Sequence, residues 1–535
     1  MTALSASEVD VLIVGAGPTG LVAAIDALRH GLSVRIVDKN EHRSPHSKAL
    51  VLHSRSLEVL DDLGCVADVL RAGREFRALN IIARGRPLSR IEFRRLSWND
   101  APYPYWLTIP QSETERCMEE RLNALGVTVE RQTTFRSLQQ REGGIDVELA
   151  RDDGSLETCR AAWLVGCDGA RSEVRRAAGV ALEGDSSGKV FMLADVAMES
   201  PLVDGEGYNM LARDGVLLIV PMQTPGLVRL IAHLPHAHPD EPPVIDLQML
   251  QRLVDSRTNL PTKLSSLGWT SVFSPKHFIA KSLRAGRVLL AGDAAHIHSP
   301  VGGQGLNTGI QDAYNLMWKL ALVHRGRAAQ TLLDTYHEER HPVGDRMIRG
   351  VRRATRALTL RRSVPQWLRN TIARVLLSFA SVRDRMGAQL GMLKLRYAPS
   401  LATAAAHASL GSPQPGERAA QQASSPELTR RLRGAHHTLL LFDGLDGTLT
   451  QAEVVAASEL ARTFAATTVL WVRRETSLDE NQLADPDGTI HRAFEARRPL
   501  ALWIRPDKYV GFRGDPKAPE AMRSYLQGVF TERNS

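Results

Sequence analysis

The sequence predicts an α/β fold in which a parallel sheet flanked by helices is interrupted by a mainly antiparallel sheet and followed by a smaller α/β domain. Three stretches carry that expectation. Residues 9–14, VDVLIV, form an apolar, β-branched run that suits a strand buried on both faces, and GAGPTG follows at once. Residues 287–291, RVLLA, run in the same way into Gly292-Asp293 and a loop holding Pro300, Gly302, Gly303 and Gly305. Between them, from Ala181 to about Phe273, alternating stretches (KVFMLADVAME, GVLLIVPM, LVRLIAHL) mark strands of an inserted, largely antiparallel sheet.

In GAGPTG, Gly15 permits a tight turn, Gly17 lets the backbone approach a pyrophosphate, and Gly20 lets the next helix pack on the strand. That helix is expected from Leu21 to His30, closed by Gly31, and SVRIVD is the second strand, ending at Asp38, where an adenosine ribose would be held. A lone GxGxxG is weak; strand, glycines, helix, strand and acid in register within about thirty residues point to dinucleotide binding. The unit does not separate NAD from FAD. Arg43, Lys48 and Arg55 follow directly, and either meet a diphosphate from the other side or are surface charges.

Residues 76–98 contain short β-like pieces (LNIIAR, RIEFRRL), and Trp98, Tyr103, Tyr105 and Trp106 cluster with prolines. SETERCMEERLNALG reads as a helix capped by Ser112, with Gln111 just before it. VTVER, IDVELARDDG and ETCRAAWLVGCDG give further strands, the last delivering Asp168-Gly169 and then Arg171 and Ser172 at the head of a helix, which is also an ordinary β-α junction. The inserted sheet carries one helix, IDLQMLQRLVDS, and is placed to roof a ligand cleft; its polar candidates for substrate contact are Tyr208, Arg213, Arg229 and His233, with His53 and His298 elsewhere. After the glycine loop a helix is expected from Asn307 to about His324, with Ile310, Ala313, Leu316, Met317 and Leu320 on one face. Its start offers free N–H groups and a positive dipole end to an anionic ligand.

The 43% apolar and 24% charged composition is that of a soluble globular protein. No apolar run reaches membrane-spanning length, and residues 1–10 lack the order of a signal peptide, so a cytoplasmic location and no stable membrane insertion are expected. Cys65, Cys117, Cys159 and Cys167 show neither CxxC spacing nor His partners, so no metal site and no disulfide framework are indicated. Residues 346–396 hold thirteen basic residues against the single acid Asp384, a net +12 in a chain of net +8, which leaves −4 elsewhere. With apolar residues interleaved, this segment is a solvated face of packed helices, an electrostatic funnel for a phosphorylated or carboxylated small molecule, or a membrane-surface contact. No nucleic-acid motif accompanies the charge.

Residues 398–426 are rich in Ala, Ser, Pro, Gly and Gln, as a linker is. From 435 the chain alternates strand and helix (HTLLLFDG, a helix near 453–464, TTVLWVRR, RPLALWIRPDKYVGFRG, a helix from Ala518 to Phe530).

Three elements thus stand in order: GAGPTG with Asp38, then Cys167-Asp168-Gly169-Ala170-Arg171-Ser172, then AGDAAHIHSPVGGQGLN. With them the chain resembles the single-component flavoprotein aromatic hydroxylases of the para-hydroxybenzoate hydroxylase class, above all the larger phenol, chlorophenol and polyketide hydroxylases that add a thioredoxin-like domain; RPDKYVGFRG is similar to the ending of that domain. The resemblance implies a Rossmann-like FAD-binding domain in 1–180, with a short substrate-domain excursion near 76–100, resuming with the basic helices in 274–400. It implies a substrate-binding sheet domain in 181–273, a linker in 401–434 and a thioredoxin-like domain in 435–535.

By the same resemblance, Gly15, Gly17, Pro18, Thr19 and Gly20 bind the FAD pyrophosphate, Asp38 with Lys39 the adenosine ribose, and Lys48 with Ala49 the diphosphate, at a position where many relatives carry arginine. Gln111 reaches the ribityl region, and Gly292-Asp293 holds the ribityl chain. Asp168 and Arg171 belong to an element serving both FAD and the nicotinamide cofactor. Pro300, Gly302, Gly303, Gly305, Leu306 and Asn307 lie at the flavin ring, and no other catalytic residue is named. Without a second GxGxxG, NADPH or NADH docks transiently. The implied activity is hydroxylation of a phenolic or polycyclic aromatic substrate with O2 through a flavin C4a-hydroperoxide. The alternatives are a dehydrogenase or halogenase on the same scaffold, the latter disfavoured by the lack of a WxWxIP string, and a flavin-binding protein without turnover. The C-terminal domain lacks CxxC, which favours a structural or oligomerisation role, and a homodimer is compatible with the sequence.

Overall fold

The computed structural model describes residues 7–45, 49–96, 98, 101–241, 243–297, 302–359, 363–403, 411–419, 425–465, 467–476 and 479–532. Strand Ser7–Val14 pairs in parallel with Val34–Val37 on one side and Leu156–Gly166 on the other, and Val288–Leu290 joins Leu156–Gly166, also in parallel. Register fixes where the four strands end: Val14 lies opposite Val37 and Gly166, and Gly166 opposite Leu290. The next residues, Gly15, Asp38, Cys167 and Ala291, therefore leave the sheet at one edge, the carboxyl edge where open α/β sheets bind ligands. Helices Pro18–Arg29 and Gln304–His324 pack on this sheet.

A second, seven-stranded sheet runs in the order Lys263–Phe273, Phe191–Glu199, Leu227–His233, Val216–Pro221, Gly207–Leu211, Ala78–Ala83, Arg86–Glu92. All its pairs are antiparallel except Gly207–Leu211 with Ala78–Ala83. One face (Met192, Leu230, Ala232) packs on Leu250 and Val254 of helix Leu247–Thr258. The other (Phe191, Leu193, Ile231) packs on Met347 and Val351 of helix Thr331–Leu358. Strand Leu182–Ser186, in the stretch expected to open this sheet, pairs with Lys276–Ala280 in a separate three-stranded ribbon instead.

The C-terminal sheet has the order Gln482–Ala484, Thr467–Arg473, His437–Phe442, Leu500–Ile504, Val510–Gly514, parallel across the first three and antiparallel across the rest. Its hairpin Arg505-Pro506-Asp507-Lys508 plugs into the N-terminal part of the chain. Arg505 donates to Glu339 at 2.7 and 2.9 Å, Asn315 donates to Asp507, Arg55 donates to the Asp507 carbonyl, and Tyr314 donates to the Pro506 carbonyl. Charged groups taken out of water this way must be paired, and these are.

Three helix starts differ from expectation. The first helix begins at Pro18, because proline tolerates the first helical turn. Helix Gln111–Ala124 has Pro110 at its N-cap position, with no side-chain cap, so Ser112 lies inside it. The helix after the glycine loop begins at Gln304, one turn before Asn307, and is buried nearly all round instead of on one face. Among the described residues no helix is long and apolar enough to cross a membrane, and no group of His, Cys, Asp and Glu is arranged to hold a metal.

Candidate functional site

The three glycines of the first turn have different surroundings. A Cβ on Gly15, whose φ is +102°, would lie 2.4 Å from the Cys167 carbonyl oxygen, and one on Gly20 would lie 1.9 Å from that of Gly15. A Cβ on Gly17 would meet nothing within 4 Å. Gly15 and Gly20 close the turn; Gly17 faces open space at a helix start whose first N–H groups have no intrahelical acceptor.

Asp38 is fixed beside it. One carboxylate oxygen accepts the Ala16 N–H at 2.8 Å, the other the Asn40 backbone N–H and side-chain amide. Gly15, Gly17, Asp38, Lys39, Asp168 and Arg171 line one cleft of about 200 Å³. Asp168 also works locally: it accepts from the Ser172 hydroxyl and from the N–H groups of Glu173 and Val174, which orders the start of helix Glu173–Ala177. Arg171 is exposed at the rim.

Beyond this cleft, Gly292–Ala294 makes a 3-10 turn that leaves Asp293 exposed, without hydrogen bond or ion pair among the described residues. Thr19 sets the spacing beneath it, since a Cβ on Gly292 or Gly309 would fall 2.5 or 2.2 Å from its hydroxyl oxygen. Asn307 is a clasp. Its carbonyl accepts the His53 N–H at 2.8 Å, and its amide donates to the carbonyls of Val51 and Gly303. Gly303, at φ +63°, caps the helix in a left-handed conformation that glycine adopts freely, and Gly305 and Leu306 lie half-buried in the first turn. His53 is buried and stacked on Trp106 at 4.9 Å; burial lowers its imidazole to about 3, so it is neutral. Ala49 and Gln111 are half-buried, and Gln111 donates to Glu115 at 2.7 Å.

A cavity of about 420 Å³ adjoins Gly302 and Gln304, walled by Met347, Val351, Met386, Leu390 and Met392, with Arg346, Lys394 and Arg396 also lining it. A wider hollow of about 1040 Å³ in the C-terminal domain, among Arg492, Arg497 and Arg498, contains none of the predicted site residues.

The four sheet candidates do not line the 420 Å³ cavity. Tyr208 points to the opposite face, in the cluster with Val254, and its hydroxyl accepts the Val203 N–H. Arg213 is exposed in a turn. Arg229 makes a two-pronged pair with Asp195 at 2.7 and 2.8 Å, and His233 is buried against Phe191. Of the basic residues after Asp38, Arg43 pairs with Glu119 and Arg55 is buried against Glu58, so neither is free for a diphosphate. Lys48, His298 and Pro300 lie outside the described residues.

A buried triad went unread in the sequence. Asp312 accepts from Arg340 at 2.8 Å and from the Gly292 N–H, and stands 2.6 Å from His296. Burial alone pushes its carboxyl up, but His296 and Arg340 outweigh it and hold the group at about 2. Its one sequence signal is that Asp312 belongs to a polar series, Asn307, Thr308, Gln311, Asp312, Asn315 and Lys319, running through a helix that is otherwise mainly apolar.

A family model described as FAD binding domain matches residues 8–351. The chain belongs to the FAD-dependent aromatic monooxygenase family. This flavoprotein is 34% identical over 538 residues to 6-methylpretetramide 4-monooxygenase of Streptomyces rimosus, covering 97% of this chain and 93% of that one. It is 35% identical to a rifampicin monooxygenase of Streptomyces venezuelae over 72% of this chain and 79% of the relative. Among solved structures, the anhydrotetracycline hydroxylase OxyS of Streptomyces rimosus superposes with a TM-score of 0.77 at 26% identity, over 98% of this chain and all of that one. The flavin-dependent monooxygenase PieE, in complex with FAD and substrate, shares the fold at a TM-score of 0.78 and 23% identity, covering 97% and 99%.

Proposed function

We propose that this FAD enzyme uses NADPH or NADH and O2 to hydroxylate a phenolic or polycyclic aromatic substrate, and that the residues at the carboxyl edge of the parallel sheet hold the cofactor. The observation that carries the assignment is the contrast among the glycines: two are filled by backbone, and Gly17 alone leaves room where a pyrophosphate must approach. When bound, FAD accepts hydride from the nicotinamide and delivers one oxygen atom of O2 to the substrate.

The protein binds, orients and excludes water. The N–H groups of Thr19 and Gly20 at the helix start, past Pro18, would face the pyrophosphate; the Asp38 carboxylate would accept from the ribose hydroxyls, with Lys39 beside it as a donor. Asp293, exposed and unpaired among the described residues, would accept from the ribityl hydroxyls, and Gln111 would reach the same ribityl region. Lys48 and Ala49 meet the diphosphate, and Asp168 and Arg171 serve the nucleotide edge of the cleft. Gly302, Gly303, Gly305, Leu306 and the Asn307 clasp would bring the positive end of helix Gln304–His324 to the flavin ring, where it would stabilise negative charge. The aromatic substrate enters the methionine-rich cavity beside Gly302, and its walls keep water from the reacting face.

Reconstitution with FAD tests this. The holoprotein should be yellow and consume NAD(P)H faster with suitable phenols or polycyclic aromatics, giving hydroxylated product by mass spectrometry. A colourless protein that cannot be loaded with FAD overturns the assignment.

A further inference from the structure

Helix Ser363–Ser378 is apolar on two opposite sides. Leu377 is buried and Ala373 half-buried in the cluster with Phe76, Ile91 and Phe93, and Gln366 on the same stripe bonds to the Arg213 carbonyl and to Arg84. At 100° per residue, Val364, Trp367, Leu368, Ile372 and Val375 project from the other side. Of the twelve large apolar side chains exposed among the described residues, seven lie between Val364 and Phe379, Trp367 at 62% and Val364 at 75%. Scattered exposed apolar residues are normal; six gathered along one helix, with Phe379 just past its end, are a surface that something covers.

The charge of the surrounding segment is predominantly positive. Arg353, Arg356, Arg374 and Arg385 are exposed, and none is in an ion pair with a described residue. The segment 346–396 carries thirteen basic residues against Asp384 alone. A second copy of the same face would bring like charges together, whereas an anionic bilayer neutralises them and takes up the apolar arc, with tryptophan at headgroup depth.

We propose that helix Ser363–Ser378 lays its outer face into the interfacial layer of a membrane rich in anionic lipid, docking the enzyme reversibly without spanning it. The next helix, Ala380–Leu390, contributes Met386 and Leu390 to the 420 Å³ cavity, and both pack with Ala373 and Leu377, so the inner side of the docking helix backs onto the cavity wall.

The test is sedimentation of the FAD-loaded full chain with vesicles of phosphatidylcholine, with and without phosphatidylglycerol, in parallel with light scattering for oligomeric state. Wild type should bind the anionic vesicles at least about tenfold better than the neutral ones, less so at high salt. Trp367→Glu with Val375→Glu should abolish binding while FAD content and NAD(P)H oxidation in solution stay unchanged, because both side chains are exposed. A wild-type protein that binds neither vesicle, or a double variant that binds as wild type does, overturns the proposal. So does a dimer that fails to bind vesicles and that the substitutions split, which would make a second copy the occupant.

Discussion

Gly17→Ala separates cofactor binding from folding. Gly17 has φ −74° and ψ −178°, which alanine adopts without strain, and its added methyl meets no protein atom within 4 Å. The apoprotein should fold and melt at or slightly above the wild-type temperature, since Gly→Ala at a compatible site is worth about 0.4–1 kcal/mol through the unfolded state. The methyl does occupy the space a pyrophosphate needs. A carbon contact requires roughly 3.5–4 Å where an N–H···O bond spans about 2.9 Å, so the diphosphate must retreat by about 1 Å. Losing one charged hydrogen bond costs about 1.5–3 kcal/mol, a rise of about 10- to 150-fold in the FAD dissociation constant. Titration by flavin fluorescence and thermal melts with and without FAD measure both quantities. Gly20→Ala is the contrast: its Cβ would sit 1.9 Å from the Gly15 carbonyl oxygen, so the apoprotein itself should lose stability by more than about 1–3 kcal/mol. A Gly17→Ala protein that binds FAD as wild type does, or that melts like Gly20→Ala, refutes the reasoning.

Further outcomes rest on the buried networks and the sheet. Asp312 is held at about 2, below its ordinary 3.8, so its contribution to stability is full above 3.8 and is lost as the pH falls toward 2. Asp312→Asn should therefore flatten the acid limb of the melting-temperature profile, and should cost about 3–5 kcal/mol at neutral pH by leaving Arg340 buried without its partner. Glu339→Gln removes the carboxylate shared by Arg505 and Lys319; it should destabilise by a similar few kcal/mol and speed proteolysis at the join to the C-terminal domain. Tyr208→Phe removes a bond to Val203 on the face away from the cavity, so it should cost about 0.5–1.5 kcal/mol of stability and leave the hydroxylation rate unchanged. A rate lowered tenfold would return Tyr208 to the substrate site.

What could be read from the sequence was local and periodic. VDVLIV, GAGPTG and Asp38 form one contiguous unit whose geometry follows from residue type, and Gly292-Asp293 stands where the next parallel strand ends. Side-chain direction across the inserted sheet was not legible. Tyr208 and Arg229 both sit on strands, and which face each takes depends on a register that pairing partners decide. Arg55 reads from the sequence as either a cation for a diphosphate or a surface charge, because its partners, Glu58 and the Asp507 carbonyl, come from the next helical turn and from a hairpin more than four hundred residues away. Asp312, His296 and Arg340 carry no motif; only folding brings three elements together beneath Gly292.

The most direct test of the central claim is turnover of the FAD-loaded enzyme with NADPH or NADH, an accepted aromatic substrate and isotopically labelled O2. The product should carry one labelled oxygen atom for each nicotinamide oxidised in coupled turnover. A product that has lost two hydrogens and gained no label would make this protein a dehydrogenase on a monooxygenase scaffold.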